Sequence, residues 1–238
     1  AGFDTSALVE IRTPASETDL LTITMTDATN AGSSDDLLNI AFNADLKAGD
    51  MFVSALDIKG INKISVTTAD AATQGETSEN NPLPGPEDGY ELVLSSDANL
   101  HAIDVTGEHA FVFSSTAAST VAAVTARDMT GNMILDFTTA FGGSQGVDIV
   151  TGTGNDTITG SVYGDILNAG AGADTIFLST GSDLIAGGSG ADTFVAPEAG
   201  VSTPDSFSRI LDFSPGADRA EADRISNINN TITPDAAG

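Results

Sequence analysis

Five aspartates spaced by nine residues are the feature that most constrains the fold of this 238-residue chain. They lie in five consecutive nine-residue units over residues 151–195, which read TGTGNDTIT, GSVYGDILN, AGAGADTIF, LSTGSDLIA and GGSGADTFV. In every unit an apolar residue follows the aspartate two positions later. The pairs are Asp156 and Ile158, Asp165 and Leu167, Asp174 and Ile176, Asp183 and Ile185, and Asp192 and Phe194. A unit this short cannot bury a core alone, so the repeat predicts a solenoid of stacked units.

Each unit combines a glycine-containing turn with a short apolar segment. Glycine adopts the left-handed backbone angles of tight turns and lets backbone carbonyls approach an ion closely. Calcium binds six to eight oxygen atoms at about 2.3–2.6 Å, and turn carbonyls and carboxylates can supply them together. The three residues after each aspartate predict a strand whose middle side chain points inward. The repeat therefore predicts calcium-binding turns that alternate with short strands.

The last unit, residues 187–195, resembles the G-G-x-G-x-D-x-U-x nonapeptide of the repeats-in-toxin (RTX) family at every defined position. The resemblance implies two nonapeptides per coil, with calcium bound between turns one coil apart. It places Asp156, Asp174 and Asp192 along one edge, the first edge, and Asp165 and Asp183 along the other, the second edge. The turn residues that it implies as further calcium ligands are Thr151, Gly152, Thr153, Gly154, Ala169, Gly170, Ala171, Gly172, Gly187, Gly188, Ser189 and Gly190.

The two edges do not follow the nonapeptide equally well. All three first-edge units keep the second and fourth glycines, whereas residues 160–163 lose both and residues 178–181 lose one. We expect two calcium sites on the first edge and one weaker site on the second. Two carboxylates about 4.8 Å apart repel by roughly 3.5 kcal/mol at an effective dielectric constant of 20, so stacked aspartates call for a cation. The alternative is that the aspartates only form turns.

A looser repeat precedes the nonapeptides. The pattern apolar-x-x-apolar-x-apolar recurs at residues 61–66, 100–105 and 121–126, and alternating strands begin at Leu92, Phe111 and Met133. The first residues of these strands are 19 and 22 apart, which suits one coil of a parallel β-helix. The prediction is an all-β parallel β-solenoid, in which a β-helix over residues 1–140 runs into a calcium-bound RTX parallel β-roll over residues 141–196.

Two further segments interrupt or end this solenoid. Pro82, Pro84 and Pro86 lack backbone donors, so the polar segment near residues 70–90 predicts an exposed loop. Residues 197–238 lose the nine-residue register and predict a C-terminal cap. Within them, residues 212–218 read DFSPGAD, similar to the D-F-x-x-G-x-D segment that often follows RTX repeats. Glu198 and Asp205 are less favoured candidates for a further edge ligand.

Charge and composition exclude several classes of partner. The formal net charge is −26, from 34 acidic and 8 basic residues, so binding to phosphate backbones or to anionic membranes is disfavoured. Cysteine is absent, so disulfides and thiolate metal sites are excluded, and no apolar run is long enough to insert into a membrane. A chain this acidic with 40% hydrophobic residues is expected to fold with bound cations, here Ca²⁺.

The sequence gives little support for catalysis. Residues 142–146 read GGSQG and satisfy the G-x-S-x-G string, but that motif requires a strand before it and a helix after it, and calcium turns follow here. The H-E-x-x-H string of zinc proteases is absent, and His101 and His109 are expected on exposed coil faces. We therefore predict that the chain is not an enzyme.

The region upstream of the nonapeptides resembles the β-helical part of bacterial surface-layer proteins of the RTX type. The strings that carry this resemblance span residues 35–40, 95–107 and 128–133. It implies type I secretion, folding outside the cell in millimolar calcium, and self-association into a lattice or filament on the bacterial cell surface. The alternatives are a stalk or adhesin module that binds a surface polysaccharide, and the C-terminal region of a secreted hydrolase.

Overall fold

The computed structural model describes residues 7–11, 23–26, 37–44, 51–59, 61–70, 89–96, 100–115, 120–138, 145–195 and 208–221. These residues form eighteen β-strands and no helix, and therefore include no helix that could cross a membrane. The strands are β1 Ala7–Ile11, β2 Ile23–Thr26, β3 Leu37–Ala44, β4 Met51–Lys59, β5 Lys63–Asp70, β6 Gly89–Ser96, β7 Ala102–Gly107, β8 Ala110–Ser115, β9 Ala123–Thr125, β10 Met133–Asp136, β11 Asp148–Val150, β12 Thr157–Thr159, β13 Ile166–Asn168, β14 Thr175–Phe177, β15 Leu184–Ala186, β16 Thr193–Val195, β17 Arg209–Ile210 and β18 Arg219–Glu221.

The strands alternate between two parallel sheets of nine strands each. The odd-numbered strands, from β1 to β17, form sheet A in sequence order, and the even-numbered strands, from β2 to β18, form sheet B. Each strand pairs with the strand two positions along the chain, so one coil contributes one strand to each sheet. This arrangement confirms the predicted parallel β-solenoid.

From β3 and β4, which have eight and nine residues, the strands shorten to three residues in the nonapeptides, and the number of inward side chains falls with them. In β6 the buried residues are Tyr90, Leu92 and Leu94, in β8 they include Phe111 and Phe113, and in β14 only Ile176 remains. Alternation of side chains in a strand produces this pattern, because only every second residue faces the space between the sheets. The solenoid therefore has a wide apolar core at its N-terminal end and a narrow one in the nonapeptide coils.

The register agrees with most of the upstream repeat and corrects one pairing. Ile64 pairs with Ile103, Ile103 pairs with Val124, and Met133 pairs with Phe111, as the repeat predicts. Phe111 pairs with Tyr90, however, and not with Leu92. The pairing shifts by two residues because β6 begins at Gly89 and includes Tyr90, which is also a core residue, fully buried and stacked on Phe42 with ring centroids 4.9 Å apart. A shift of two keeps every side chain on its predicted face.

Parts of the predicted organisation lie outside the described residues. They include the proline-containing loop, since residues 71–88 are not described, and the candidate ligands Glu198 and Asp205. Of the predicted cap, residues 208–221 are described. They supply β17 and β18, which add one further strand to each sheet.

Candidate calcium site

The five turn aspartates lie in two columns, one beside each sheet. Asp156, Asp174 and Asp192 immediately precede β12, β14 and β16 of sheet B, whereas Asp165 and Asp183 precede β13 and β15 of sheet A. The pairings of the strands that follow place members of a column one coil apart. All five side chains are at most 2% exposed. The structure thus brings together the aspartates in the two sets that the sequence predicts, and their role as calcium ligands stays a prediction.

On the first edge, each carboxylate binds the backbone of the preceding coil. Oδ1 of Asp156 accepts a hydrogen bond from the amide of Met133 (2.8 Å), and Oδ1 of Asp174 accepts one from the amide of Asp156 (2.7 Å). Oδ1 of Asp192 continues the ladder by accepting from the amide of Asp174 (3.1 Å). One oxygen of every carboxylate is therefore used to hold adjacent coils in register.

The second oxygen of each first-edge carboxylate is buried without a hydrogen-bond partner. These three atoms are Oδ2 of Asp156, Asp174 and Asp192. The Thr151 hydroxyl near Asp156 instead donates to the carbonyl of Ala169 (2.7 Å). A buried oxygen that carries negative charge and accepts no hydrogen bond is costly unless a cation binds it. The first edge thus offers one free carboxylate oxygen per coil.

Glycines bring backbone carbonyls into the same turns. Gly172 and Gly190 have positive φ angles of 150° and 144°, a backbone conformation that favours glycine. A Cβ atom added to Gly172 would collide with the carbonyl of Gly154 and lie 3.2 Å from Oδ1 of Asp174, so that carbonyl and that carboxylate face one small space. A Cβ atom on Gly187 would likewise collide with Oδ2 of Asp192. The turns therefore hold carboxylate and carbonyl oxygens close together only because these positions lack side chains.

Burial makes the charged form of these carboxylates unfavourable. Desolvation, together with the neighbouring charges of Asp156 and Asp192, raises the pKa of Asp174 to about 7. Desolvation also raises the pKa of Asp156 to about 6 and raises the pKa of Asp192. The aspartates in this column therefore either bind protons, which neutralise them, or stay ionised beside a metal cation.

The column extends one coil beyond the nonapeptides, to a residue that the sequence did not predict as part of it. Oδ1 of Asp218 accepts a hydrogen bond from the amide of Asp192 (3.2 Å). This bond is equivalent to the one that Oδ1 of Asp192 accepts from the amide of Asp174 one coil earlier. The carboxylate of Asp212 accepts hydrogen bonds from the amides of Gly187 (3.0 Å) and Gly188 (2.8 Å). The sequence between Asp192 and Asp218 is longer than one coil of eighteen residues, so the spacing of nine does not predict that Asp218 belongs to the column. The position of Asp218 directly before β18 identifies it as a member.

The second edge is chemically different, because serine hydroxyls bind its carboxylates. Oδ1 of Asp165 accepts from the Ser161 hydroxyl (2.7 Å), and Oδ2 of Asp183 accepts from the Ser208 hydroxyl (2.9 Å). Burial raises the pKa of Asp165 and raises that of Asp183 to about 6.

One coil before Asp165, the equivalent position is occupied by Val147, while Asp148 lies one residue later and is exposed. Asp148 precedes Asp156 by eight residues rather than nine, and this slip in the nine-residue register removes it from the column.

The donor set of the first edge fits calcium. In the part of the chain that the structure describes, no three Asp, Glu, His or Cys side chains converge as a metal cluster. A cation on this edge would therefore take carboxylate oxygens from aspartates one coil apart and complete its shell with turn carbonyls such as that of Gly154. An all-oxygen shell of mixed carboxylates and carbonyls is typical of calcium and unsuited to softer metals.

The two histidines occupy different environments. His101 is exposed, as predicted, but the prediction that His109 is exposed is wrong. Only 7% of His109 is exposed, and its ring lies edge-on to Tyr90 with centroids 6.3 Å apart. It is buried because it directly precedes β8 and lies at a corner of the wide N-terminal core. The GGSQG string cannot be placed as a site, because residues 142–144 lie outside the described part of the chain.

Comparison with known families agrees with the nonapeptide geometry. Residues 142–162 and 159–194 match the model of the RTX calcium-binding nonapeptide repeat, present in four copies. Searches of curated proteins and of solved structures find no match to the chain. The match confirms that the nine-residue units are RTX calcium-binding repeats, so the turns described above are the candidate calcium site.

Proposed function

We propose that this chain, an RTX-type calcium-binding protein, is a secreted structural protein of the bacterial cell surface that calcium folds and that then assembles into a lattice or filament. It acts as a scaffold and performs no catalysis. The calcium sites that it uses are those of the first edge, between Asp156 and Asp174 and between Asp174 and Asp192.

One observation carries the calcium requirement: the three partnerless Oδ2 atoms in a single buried column. The backbone hydrogen bonds to Oδ1 hold neighbouring coils together and place the carboxylates close to one another at the same time. A cation between coils relieves the repulsion that this packing creates. Calcium binding and completion of the β-roll are therefore one coupled process, as in other sites whose ligands are brought together only by folding.

Coupled folding fits a protein that is secreted before it folds. Inside the cell calcium is scarce, and repulsion within a chain of net charge −26 opposes compaction. Outside, millimolar calcium neutralises the turn aspartates and orders the coils. RTX repeats are generally found in secreted proteins, which supports the extracellular assignment.

Self-association is the part of the proposal that depends on overall architecture. A parallel solenoid has a row of unpaired backbone groups at each end, and such edges pair with other strands unless they are covered. Bound calcium also lowers the net charge that keeps identical acidic chains apart. Both effects favour end-to-end or side-to-side assembly in calcium.

Circular dichroism combined with sedimentation velocity, across a calcium titration that starts in chelator, tests the proposal. We expect a cooperative gain of β-structure with calcium, followed by large assemblies. Magnesium at the same concentration is the matched control, because its smaller, strictly octahedral shell does not suit these turns. Folding without assembly would keep the calcium-binding role and replace the lattice by a monomeric stalk or adhesin module. A β-roll that forms fully in chelator would contradict the calcium requirement.

A further inference from the structure

We propose that Ser161, Ser179 and Ser208 close the second edge to calcium, so that calcium enters the β-roll along the first edge only. This inference rests on the proposed calcium-binding function and deepens it by assigning the metal to one column. It replaces the expected weaker calcium site between Asp165 and Asp183 with a hydrogen-bonded column of serines and aspartates, the serine column.

The carboxylate of Asp165 is largely occupied by hydrogen-bond donors, which leaves little acceptor capacity for a cation. Its Oδ1 accepts hydrogen bonds from the amide of Val147 (2.8 Å) and the hydroxyl of Ser161 (2.7 Å). Its Oδ2 accepts from the amide of Ser161 (2.7 Å) and lies 3.4 Å from the hydroxyl of Ser179. A carboxylate has about four lone-pair sites, so three hydrogen bonds occupy most of them, and the Ser179 hydroxyl, which also lies 3.3 Å from the carbonyl of Thr180, stands against the fourth. Hydrogen bonds to an ionised acceptor are the strong ones, so they stabilise the charge without a metal.

The same arrangement continues one coil further. Asp183 accepts hydrogen bonds from the amide of Asp165 (3.0 Å) and from the Ser208 hydroxyl (2.9 Å). The hydroxyl of Ser179 lies 3.4 Å from Oδ2 of Asp183 and also 3.4 Å from Oδ2 of Asp165. Ser179 is thus placed between the two carboxylates, where a cation that bridged these coils would have to bind.

The first edge lacks these serines, and the Thr151 hydroxyl in its first turn donates to the carbonyl of Ala169. The positions equivalent to Ser161 and Ser179 in its turns are Gly152, Gly170 and Gly188. A side chain could not be accommodated at Gly188, whose φ angle is +96° and whose added Cβ would collide with the carbonyl of Gly170. The carboxylates beside these glycines keep a free Oδ2, whereas neither carboxylate on the second edge does. The residue at this one position of the nonapeptide therefore decides whether the neighbouring aspartate binds a hydroxyl or a cation.

Equilibrium dialysis with calcium alone, which counts calcium ions bound per full-length chain, tests the assignment. Asp174→Asn on the first edge is expected to remove at least one bound calcium, because Asp174 belongs to two intercoil gaps. Asp165→Asn on the second edge is expected to leave the number of bound ions unchanged. A second-edge variant that binds one calcium fewer than the wild type would overturn the serine column.

Because Asp165→Asn removes buried hydrogen bonds and can unfold the chain, Ser179→Ala provides a milder variant. We expect it to bind as many calcium ions as the wild type and to melt a few degrees lower, about 2–5 °C, in calcium. Ser182→Ala is the matched control, since Ser182 is an exposed serine in the same nine-residue unit as Ser179, and its melting temperature should not change. Loss of one calcium ion in Ser179→Ala would show that the hydroxyl is itself a calcium ligand and would refute the inference. Failure of the wild type to bind any calcium would instead refute the proposed function.

Discussion

The N-terminal coils and the nonapeptide coils are built on one plan but are stabilised by different interactions. Strands β5 and β6 bury five apolar side chains between the sheets, from Ile64 in the first strand to Leu94 in the second. The coil that joins β12 and β13 buries two, Ile158 and Leu167, together with two aspartates in its turns. At about 1.5–3 kcal/mol for each buried apolar side chain, the narrow coil has far less hydrophobic stabilisation.

This difference shows why the cation belongs at the narrow end. Long strands provide many ladder hydrogen bonds and a wide core, so the N-terminal coils need no metal to hold their register. Three-residue strands provide few ladder hydrogen bonds and a narrow core, so a coil of eighteen residues must be held together by its turns. In the proposed function, calcium supplies stabilisation where strand length cannot, at the cost of burying carboxylates that repel one another when it is removed.

The largest expected effect comes from the wide core. Phe113→Ala removes a fully buried ring that packs on Phe137 with centroids 5.5 Å apart, and should lower the free energy of unfolding by about 3–5 kcal/mol. The loss should be equal in calcium and in chelator, because this ring lies in the apolar core between the sheets and not in a nonapeptide turn. Chemical denaturation in both conditions measures it. A loss confined to calcium would mean that the two regions are not stabilised separately.

A first-edge aspartate should give the opposite dependence. Asp174→Asn should remove about 2–4 kcal/mol of unfolding free energy in millimolar calcium, because binding to the folded state contributes stability only while the ligand sites exist. In chelator the same variant should be at least as stable as the wild type, since it removes a buried charge next to Asp156 and Asp192. Asp148→Asn is the matched control, an exposed aspartate in the same region, and should change neither value.

A smaller effect is expected from the turn backbone. Gly190→Ala places a side chain at φ +144° and against the carbonyl of Gly172, and should cost about 1–3 kcal/mol and weaken calcium binding. Gly216→Ala is the matched control, because Gly216 also has a positive φ of 102° but nothing lies within 4 Å of its added Cβ. It should show only the backbone strain and keep full calcium affinity. Equal calcium affinities in the two variants would contradict the assigned carbonyl positions.

The effect of pH is expected to be the most gradual. The folded-state pKa values of Asp156 and Asp174, about 6 and about 7, lie above the ordinary value of 3.8, so the calcium-free folded state binds more protons than the unfolded state between about pH 4 and 7. Its stability in chelator should therefore fall as the pH rises through this window. Calcium must displace those protons, so its affinity should rise over the same range, by up to about tenfold per pH unit for each proton released. Denaturation in chelator and calcium titrations at pH 5, 6, 7 and 8 measure both trends.

Much of this molecule follows from its sequence because its signals are periodic. The spacing of nine fixes the two columns, and the apolar residue two positions after each aspartate fixes the inward side chain, so Asp174 and Ile176 are placed without any structure. Where an insertion breaks the period, the sequence signal fails. Asp218 is invisible for this reason, although β18 returns it to the column.

Other features depend on packing that no spacing encodes. His109 looks like an exposed polar residue in the sequence, and only the width of the N-terminal core explains its burial. The serine column is another example. Loss of the glycines at Ser161 and Ser179 predicts a weakened site, but the hydrogen bonds that replace the metal become apparent only when both carboxylates are seen with all their donors.

Hydrogen exchange of backbone amides, compared between calcium and chelator, tests the central contrast most directly. We predict that amides of β12 to β16 are protected in calcium and exchange rapidly in chelator, while those of β6 and β8 stay protected in both conditions. Protection of β12 to β16 that does not change when calcium is removed would contradict the account, because the narrow coils would then be stable without the cation.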